Sequence, residues 1–374
     1  MRLRLLPLGA LLLAPLLALP ACDSGGEIGS GGELDLRVLF AAPTDEEADA
    51  VEAEWAAREN PARDADSTAV GRQDTTGTLY VVEHTQSTAG GAPFTHFGLV
   101  RIPVTETEEP LPVLVYHHGG DDGLTASGFL ATLELYPLLR DAAVWVAPVY
   151  RAETLTADAA GLSGTYTAGG SPSPWDYDVD DAIGLLNAAL ALFPDVLDGD
   201  RIGALGFSRG GNTALLHAVR DDRVDAVTDY FGPADFFNLV ARQLTAAAAE
   251  GDPDALALPG VAYLDETVLD PLVAGTLSYE AARLELVRRS PGLFSGRLPD
   301  TQVHHHREDP IVLVQFSEAF IARVENDPNV QLDDNIYTNL LPDGVASFHD
   351  PAAMPESLRD TERFILRRFE GVMP

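Results

Sequence analysis

The chain holds 374 residues, 46% of them hydrophobic, enough for one large domain or two small ones. Its formal net charge is −34 and none of its basic residues is lysine, which argues against nucleic-acid binding through a phosphate-neutralising patch and against adhesion to anionic surfaces. The single cysteine excludes an intramolecular disulfide.

Residues 1–21 read as a targeting segment. Arg2 and Arg4 precede an apolar run, 5–19, that is too short for a comfortable membrane span. Cys22 follows Leu19-Pro20-Ala21, and a lone cysteine at that point resembles a bacterial lipoprotein signal. The resemblance implies a lipidated Cys22 and export to a cell-envelope membrane, with the lipid as the only membrane link; plain secretion is the alternative. The Gly/Ser-rich stretch 22–33 reads as a flexible tether, and 34–374 as one domain.

Residues 46–59 are expected to be helical. Residues 78–85 and 94–104 alternate apolar and polar around Ala89-Gly90-Gly91, the pattern of an antiparallel strand pair. From Leu111 the pattern changes to short continuous apolar runs, 111–116, 144–149, 202–207, 224–230 and 301–306, as expected for strands buried on both faces. Helical stretches at 177–193 and 209–220 separate some of them. A last strand at 331–339 and a closing helix at 356–369 complete the pattern. Strands alternating with helices imply a mostly parallel sheet covered on both sides, here of eight strands including the antiparallel pair. Between the strands at 224–230 and 301–306 the alternation breaks: 235–250, 264–273 and 278–289 look helical. Residues 235–290 are therefore expected to form a helical lid over the carboxyl edge of the sheet.

One stretch carries the chemistry. Asp198-Gly199-Asp200-Arg201 leads into an apolar run ending in Gly206-Phe207-Ser208-Arg209-Gly210-Gly211, and a helical pattern starts at once. Strand, sharp turn and helix with a serine at the apex form a nucleophile elbow, with Gly206 and Gly210 small because strand and helix nearly touch. The helix N-terminus supplies N–H groups where an oxyanion forms.

A neutral serine needs a base oriented by a carboxylate, and in this arrangement the order along the chain is nucleophile, acid, histidine. Of the histidines after Ser208, His217 lies too far along the helix, and His304 to His306 belong to a strand. His349, in a loop after the last strand, is the expected base. Asp309, just past the strand 301–306, is the favoured acid; Glu308 is its rival, and Asp333 and Asp334 are weaker ones. The N–H of Arg209 and that of Gly119 or Gly120, in the loop after 111–116, are the expected oxyanion donors. His304 and His306 share a strand face, a spacing that suits metal ligation, but no third ligand accompanies them. No metal and no cofactor are expected, and one of these histidines is expected to pack under the acid loop.

Together Tyr116-His117-His118-Gly119-Gly120, Pro148-Val149-Tyr150-Arg151, Asp198-Gly199-Asp200-Arg201-Ile202, the elbow, Ser290-Pro291, His305 through Val312, and Phe348-His349 resemble the α/β-hydrolase superfamily. Within it they are most similar to the prolyl-oligopeptidase and dienelactone-hydrolase-like branch. The resemblance runs from Leu111 to the C-terminus. It implies a serine hydrolase with Ser208 as nucleophile, Asp309 as acid and His349 as base. The acidic composition and the expected apolar lid favour a small ester with an uncharged acyl group, with a short peptide as the alternative. His306 stands where the family often has glycine, and the residues before Leu111 are too few for an oligopeptidase propeller. A surface binding protein that keeps the fold without the chemistry is the reading from a different class.

Overall fold

The computed structural model describes residues 34–58, 67–73, 76–87 and 92–369. The leader, Cys22, the tether and the turn at 89–91 lie outside the described residues. Among the described residues twelve strands follow in chain order: β1 Thr68–Gln73, β2 Gly77–Gln86, β3 Phe94–Pro103, β4 Leu111–His117, β5 Leu124–Thr125 and β6 Val144–Pro148. Then come β7 Thr154–Thr156, β8 Thr165–Thr167, β9 Leu197–Phe207, β10 Val224–Tyr230, β11 Asp300–His306 and β12 Leu332–Tyr337.

Nine of them form one sheet in the order β1-β2-β3-β6-β4-β9-β10-β11-β12, and β5, β7 and β8 form a small second sheet. From β6 to β12 every neighbouring pair is parallel; β1, β2 and β3 are antiparallel, as is the join of β3 to β6. The sheet thus has nine strands rather than the expected eight. The additional strand is β1, an edge strand with no fully buried residue. It shows no apolar face in sequence and is held by its ladder to β2.

Every residue of β4 and β6 is buried, which is why these strands read as unbroken apolar runs. Side chains still alternate between the two faces. Val113 and Val115 join Ile183, Leu186 and Leu215 from the helices Tyr177–Leu192 and Arg209–Arg220 in one core. Leu114 and Tyr116 face the opposite way, into a second core with Phe129, Phe364 and Ile365. The last two come from the closing helix Pro355–Phe369.

After β4 the chain moves outward to β6, then crosses back to β9 and continues in the other direction. The crevice opened by that reversal lies at the carboxyl ends of β4 and β9, the usual ligand position in open α/β sheets. Gly119 and Ser208 stand there.

Between β10 and β11 the chain is helical, with two differences from expectation. The first helix begins at Leu239, not at 235, because Asn238 caps it by accepting from the N–H of Ala241 at 2.8 Å. The second is not continuous: a π-turn over Asp265–Leu269 joins short helices Val261–Leu264 and Asp270–Val273. Pro271 has no N–H to return to the preceding turn, which breaks regular α-helical bonding there. The third helix is Tyr279–Val287.

Candidate active site

Ser208 sits at φ 56° and ψ −124°, and the helix Arg209–Arg220 starts at the next residue. A non-glycine residue there is strained, and strain persists only where the surroundings hold it. Here the N–H of Ser208 donates to the carbonyl of Tyr230 at 2.9 Å, and the carbonyl of Ser208 accepts from Gly211 N–H at 2.9 Å. Strand and helix meet so closely that a Cβ on Gly206 would collide with the Gly210 carbonyl, and one on Gly210 with the His117 carbonyl.

The loop after β4 lies directly against the serine. A Cβ on Gly119 would come within 3.2 Å of Ser208 Cβ and 2.9 Å of the Phe207 carbonyl oxygen. Gly120, at φ 74°, faces open space, and its carbonyl accepts from Arg209 Nη1 at 3.1 Å. Of the two glycines, Gly119 is the one pressed against Ser208.

Asp309 follows the end of β11 and is 3% exposed. One carboxylate oxygen accepts from the N–H groups of Ile311 and Val312, at 2.8 and 3.1 Å. The other lies 2.7 Å from His349 Nδ1, which donates to it. Burial disfavours the charge on Asp309, but contacts with His305 and His349 outweigh burial and hold its carboxyl down at about 2. With Nδ1 donating, Nε2 of His349 is the free acceptor of a neutral ring. The His349 ring packs on Phe231 at 4.4 Å, the residue after the Tyr230 that anchors Ser208. Glu308, the rival acid, instead gives its backbone N–H to His306 Nδ1 at 3.1 Å.

The three consecutive histidines have separate structural partners. His304 Nδ1 meets the Tyr337 hydroxyl at 3.0 Å. His305 lies under the acid loop, with Nδ1 2.7 Å from Ser317 Oγ and Nε2 2.8 Å from the Val312 carbonyl. His306 accepts at Nδ1 from Glu308 and donates from Nε2 to the Asn339 carbonyl at 2.9 Å. Its ring stacks on Phe348 at 4.1 Å, so it braces both the acid loop and the loop carrying His349. Among the described residues no cluster of three metal-ligating side chains occurs.

Sequence reasoning missed the environment of the Arg209 side chain, which is buried at 3% exposure. It donates to both oxygens of Asp178, and Nη1 donates to Asp121 and Glu153, each at 2.7 Å. The guanidinium also lies 4.6 Å over the Tyr150 ring. His118, next to Gly119, stacks on the same tyrosine at 4.3 Å. Burial, with the Arg209 charge, pulls His118 down to about 3, and burial pushes Glu153 up to about 7 against the pull of Arg209. Arg209 thus ties the loop after β4 to the loop after β6 and to the start of the helix Tyr177–Leu192. Of the residues in this network, Tyr150 lay in a stretch quoted for the family resemblance, Pro148-Val149-Tyr150-Arg151, which gave no sign of the contact with Arg209.

Ser208 and Arg209 border a pocket walled by Trp175, Phe236, Leu244, Val268, Leu286 and Val312 among other apolar residues. Much of that wall comes from the helical segment between β10 and β11.

No protein-family model matches the sequence, and no curated protein matches it. Solved structures do match it in fold. An acetyl xylan esterase from Paenibacillus aligns with a TM-score of 0.56 over 88% of this chain and 98% of its own, at 17% identity. One from Thermoanaerobacterium aligns at 0.53 over 90% of this chain and 100% of its own, at 15% identity. An acylaminoacyl peptidase from Pyrococcus horikoshii aligns at 0.51 over 82% of this chain and 50% of its own, at 14% identity. The chain has the α/β-hydrolase fold.

Proposed function

We propose that this protein is a serine hydrolase that cleaves carboxylic esters through an acyl-enzyme. The observation that carries the reading is the buried Asp309 carboxylate bonded to His349 Nδ1 at 2.7 Å, at the same sheet edge as a serine held at φ 56°. In this reading His349 Nε2 takes the Ser208 proton as Oγ attacks the ester carbonyl. Asp309 steadies the imidazolium. The N–H groups of Arg209 and of Gly119, with Gly120 as the alternative, hold the tetrahedral oxyanion. His349 then gives its proton to the departing alkoxide, and water, activated by the same ring, releases the acid and restores Ser208. No step requires a cofactor.

An ester is favoured over a peptide by the apolar pocket beside Ser208; the fold likeness to an acylaminoacyl peptidase keeps a small acyl-peptide as the second reading. Comparing p-nitrophenyl esters with aminoacyl amides decides between them, and a fluorophosphonate probe tests the class. A protein that fails to label at Ser208 and hydrolyses neither substrate is a binding protein with this fold. The proposal also places the enzyme on a cell-envelope membrane through a lipid on Cys22. Membrane association unchanged in Cys22→Ser would remove that part.

A further inference from the structure

The pocket that opens from Ser208 is about 90 Å³ in volume, and its lining is uniform in chemistry. The polar residues in its wall are Ser208, Arg209 and Thr245. The Arg209 guanidinium is held by Asp178, Asp121 and Glu153 and is not free to meet a ligand charge. A pocket of this kind favours apolar surface, at up to about fourfold in binding for each methylene group removed from water. An acetyl group would leave part of this cavity empty, and a chain of about four carbons would fill it.

Two parts of the wall, far apart in the chain, set its dimensions. The helix Leu239–Ala249 presents Ala241, Leu244 and Ala248 to the pocket. These positions share one helix face, and the two alanines leave room that larger side chains would fill. Leu39 comes from the opposite end of the sequence, at the end of the short helix Leu36–Leu39. It is fully buried and its segment is pinned by Arg283. That guanidinium donates to the carbonyls of Val38, Leu39 and Ala41 at 3.0, 3.0 and 2.8 Å, and to both Glu47 oxygens at 2.6 and 2.8 Å. Arg283 lies on the helix Tyr279–Val287, which contributes Leu286 to the same wall.

We infer that this cavity is an acyl site for a short aliphatic chain longer than acetyl, with Leu39, fixed by Arg283, and Ala248 as specificity-determining positions. The inference rests on the serine-hydrolase reading and names the substrate class of that site. The N-terminal segment is thereby part of the substrate site rather than a linker beside it.

The test is a series of acetyl, butanoyl, octanoyl and dodecanoyl p-nitrophenyl esters, measured as kcat/KM on the full chain and on Ala248→Phe and Leu39→Ala. The butanoyl ester is expected to exceed the acetyl ester by about tenfold and to exceed the dodecanoyl ester as well. Ala248→Phe is expected to cut the butanoyl-to-acetyl ratio about tenfold, and Leu39→Ala to move the optimum toward octanoyl. If Ala248→Phe fails to fold, the Leu39→Ala profile decides alone. An acetyl optimum that depends on Ser208, or a chain-length profile untouched by the variants that fold, overturns this inference and leaves the serine-hydrolase reading standing. No ester turnover and no fluorophosphonate labelling overturns both.

Discussion

Asp178 grips the Arg209 guanidinium with both carboxylate oxygens, at 2.9 Å each, at the residue that follows Ser208. The same Asp178 accepts the N–H of Trp175 at 2.8 Å, and Trp175 is itself held at φ 65°. One carboxylate thus fixes the residue after Ser208 and a strained aromatic wall of the pocket. Neutralising Asp178 leaves the guanidinium with Asp121 and Glu153, and burial already pushes the Asp178 carboxyl up against the pull of Arg209. Asp178→Asn is therefore expected to lose less in chemical denaturation than the roughly 3 kcal/mol of an uncompensated buried charge, and to lower kcat through the loosened Arg209 backbone. A stability equal to wild type would show that Glu153 and Asp121 suffice to hold the guanidinium.

The triad proposal makes a graded prediction. Ser208→Ala removes the nucleophile and is expected to lower ester turnover by about 10⁴-fold or more. Asp309→Asn keeps the shape but no longer fixes the His349 tautomer, and a loss of about 10³–10⁴-fold is expected. Wild-type turnover by either variant, with the fold intact by circular dichroism, would remove that residue from the mechanism.

His306 is expected to act as a positioning residue. It ties Glu308 N–H and the Asn339 carbonyl together and stacks under Phe348, the neighbour of His349. His306→Ala is predicted to lower kcat about 10–100-fold with little change in KM, because a misplaced base slows proton transfer without altering the pocket. His306→Phe, which keeps a ring under Phe348, should recover part of the loss. Equal losses in both variants would trace the effect to the hydrogen bonds alone.

These relationships differ in how far the sequence disclosed them. The helix Arg209–Arg220 and the strand Val224–Tyr230 were readable to the residue, because buried elements impose periods of 3.6 and of unbroken apolar character. The bond between Asp309 and His349 joins two residues that chain order had already singled out. The edge strand Thr68–Gln73 was not readable, because its stability comes from pairing with β2 and its side chains bury little. The Arg209 network was not readable either. Asp121, Glu153 and Asp178 reach it from separate loops and a helix start, and contacts of that kind leave no period in the chain. The same holds for the stack of His306 on Phe348, which depends on two loops meeting in space.

Asp309 also sets a pH dependence of stability. Its carboxyl is held at about 2 in the fold, below the ordinary 3.8. A lowered folded value means that the stabilisation is fully present above the unfolded value and is lost as pH falls through the folded one. Asp309 therefore contributes about 2 kcal/mol at neutral pH, which disappears between about pH 4 and pH 2. Denaturation midpoints across that window should fall less steeply in Asp309→Asn than in wild type. Parallel curves would place the acid lability elsewhere.

Asp229 has the opposite sign. It is fully buried on β10, one oxygen accepts from Gly232 N–H at 2.8 Å, and the other has no hydrogen-bond partner among the described residues. Burial pushes its carboxyl up to about 7, from an ordinary 3.8, with only the Gly232 bond pulling it back. Below the ordinary value both folded and unfolded forms are protonated, and the group is neutral to stability. As pH rises toward 7 the unfolded chain releases the proton while the fold retains it, so stability falls across that window and levels off above it. The penalty at pH 8 reaches up to about 4 kcal/mol. Asp229→Asn keeps an oxygen for Gly232 and carries no charge at any pH. It is expected to be more stable than wild type at pH 8 and to match it near pH 4, in denaturant titrations at both values. A variant less stable than wild type at pH 8 would mean that the charged carboxylate is held favourably in the fold, and that the first turn of the helix Arg209–Arg220, which lies against it, supplies the stabilisation.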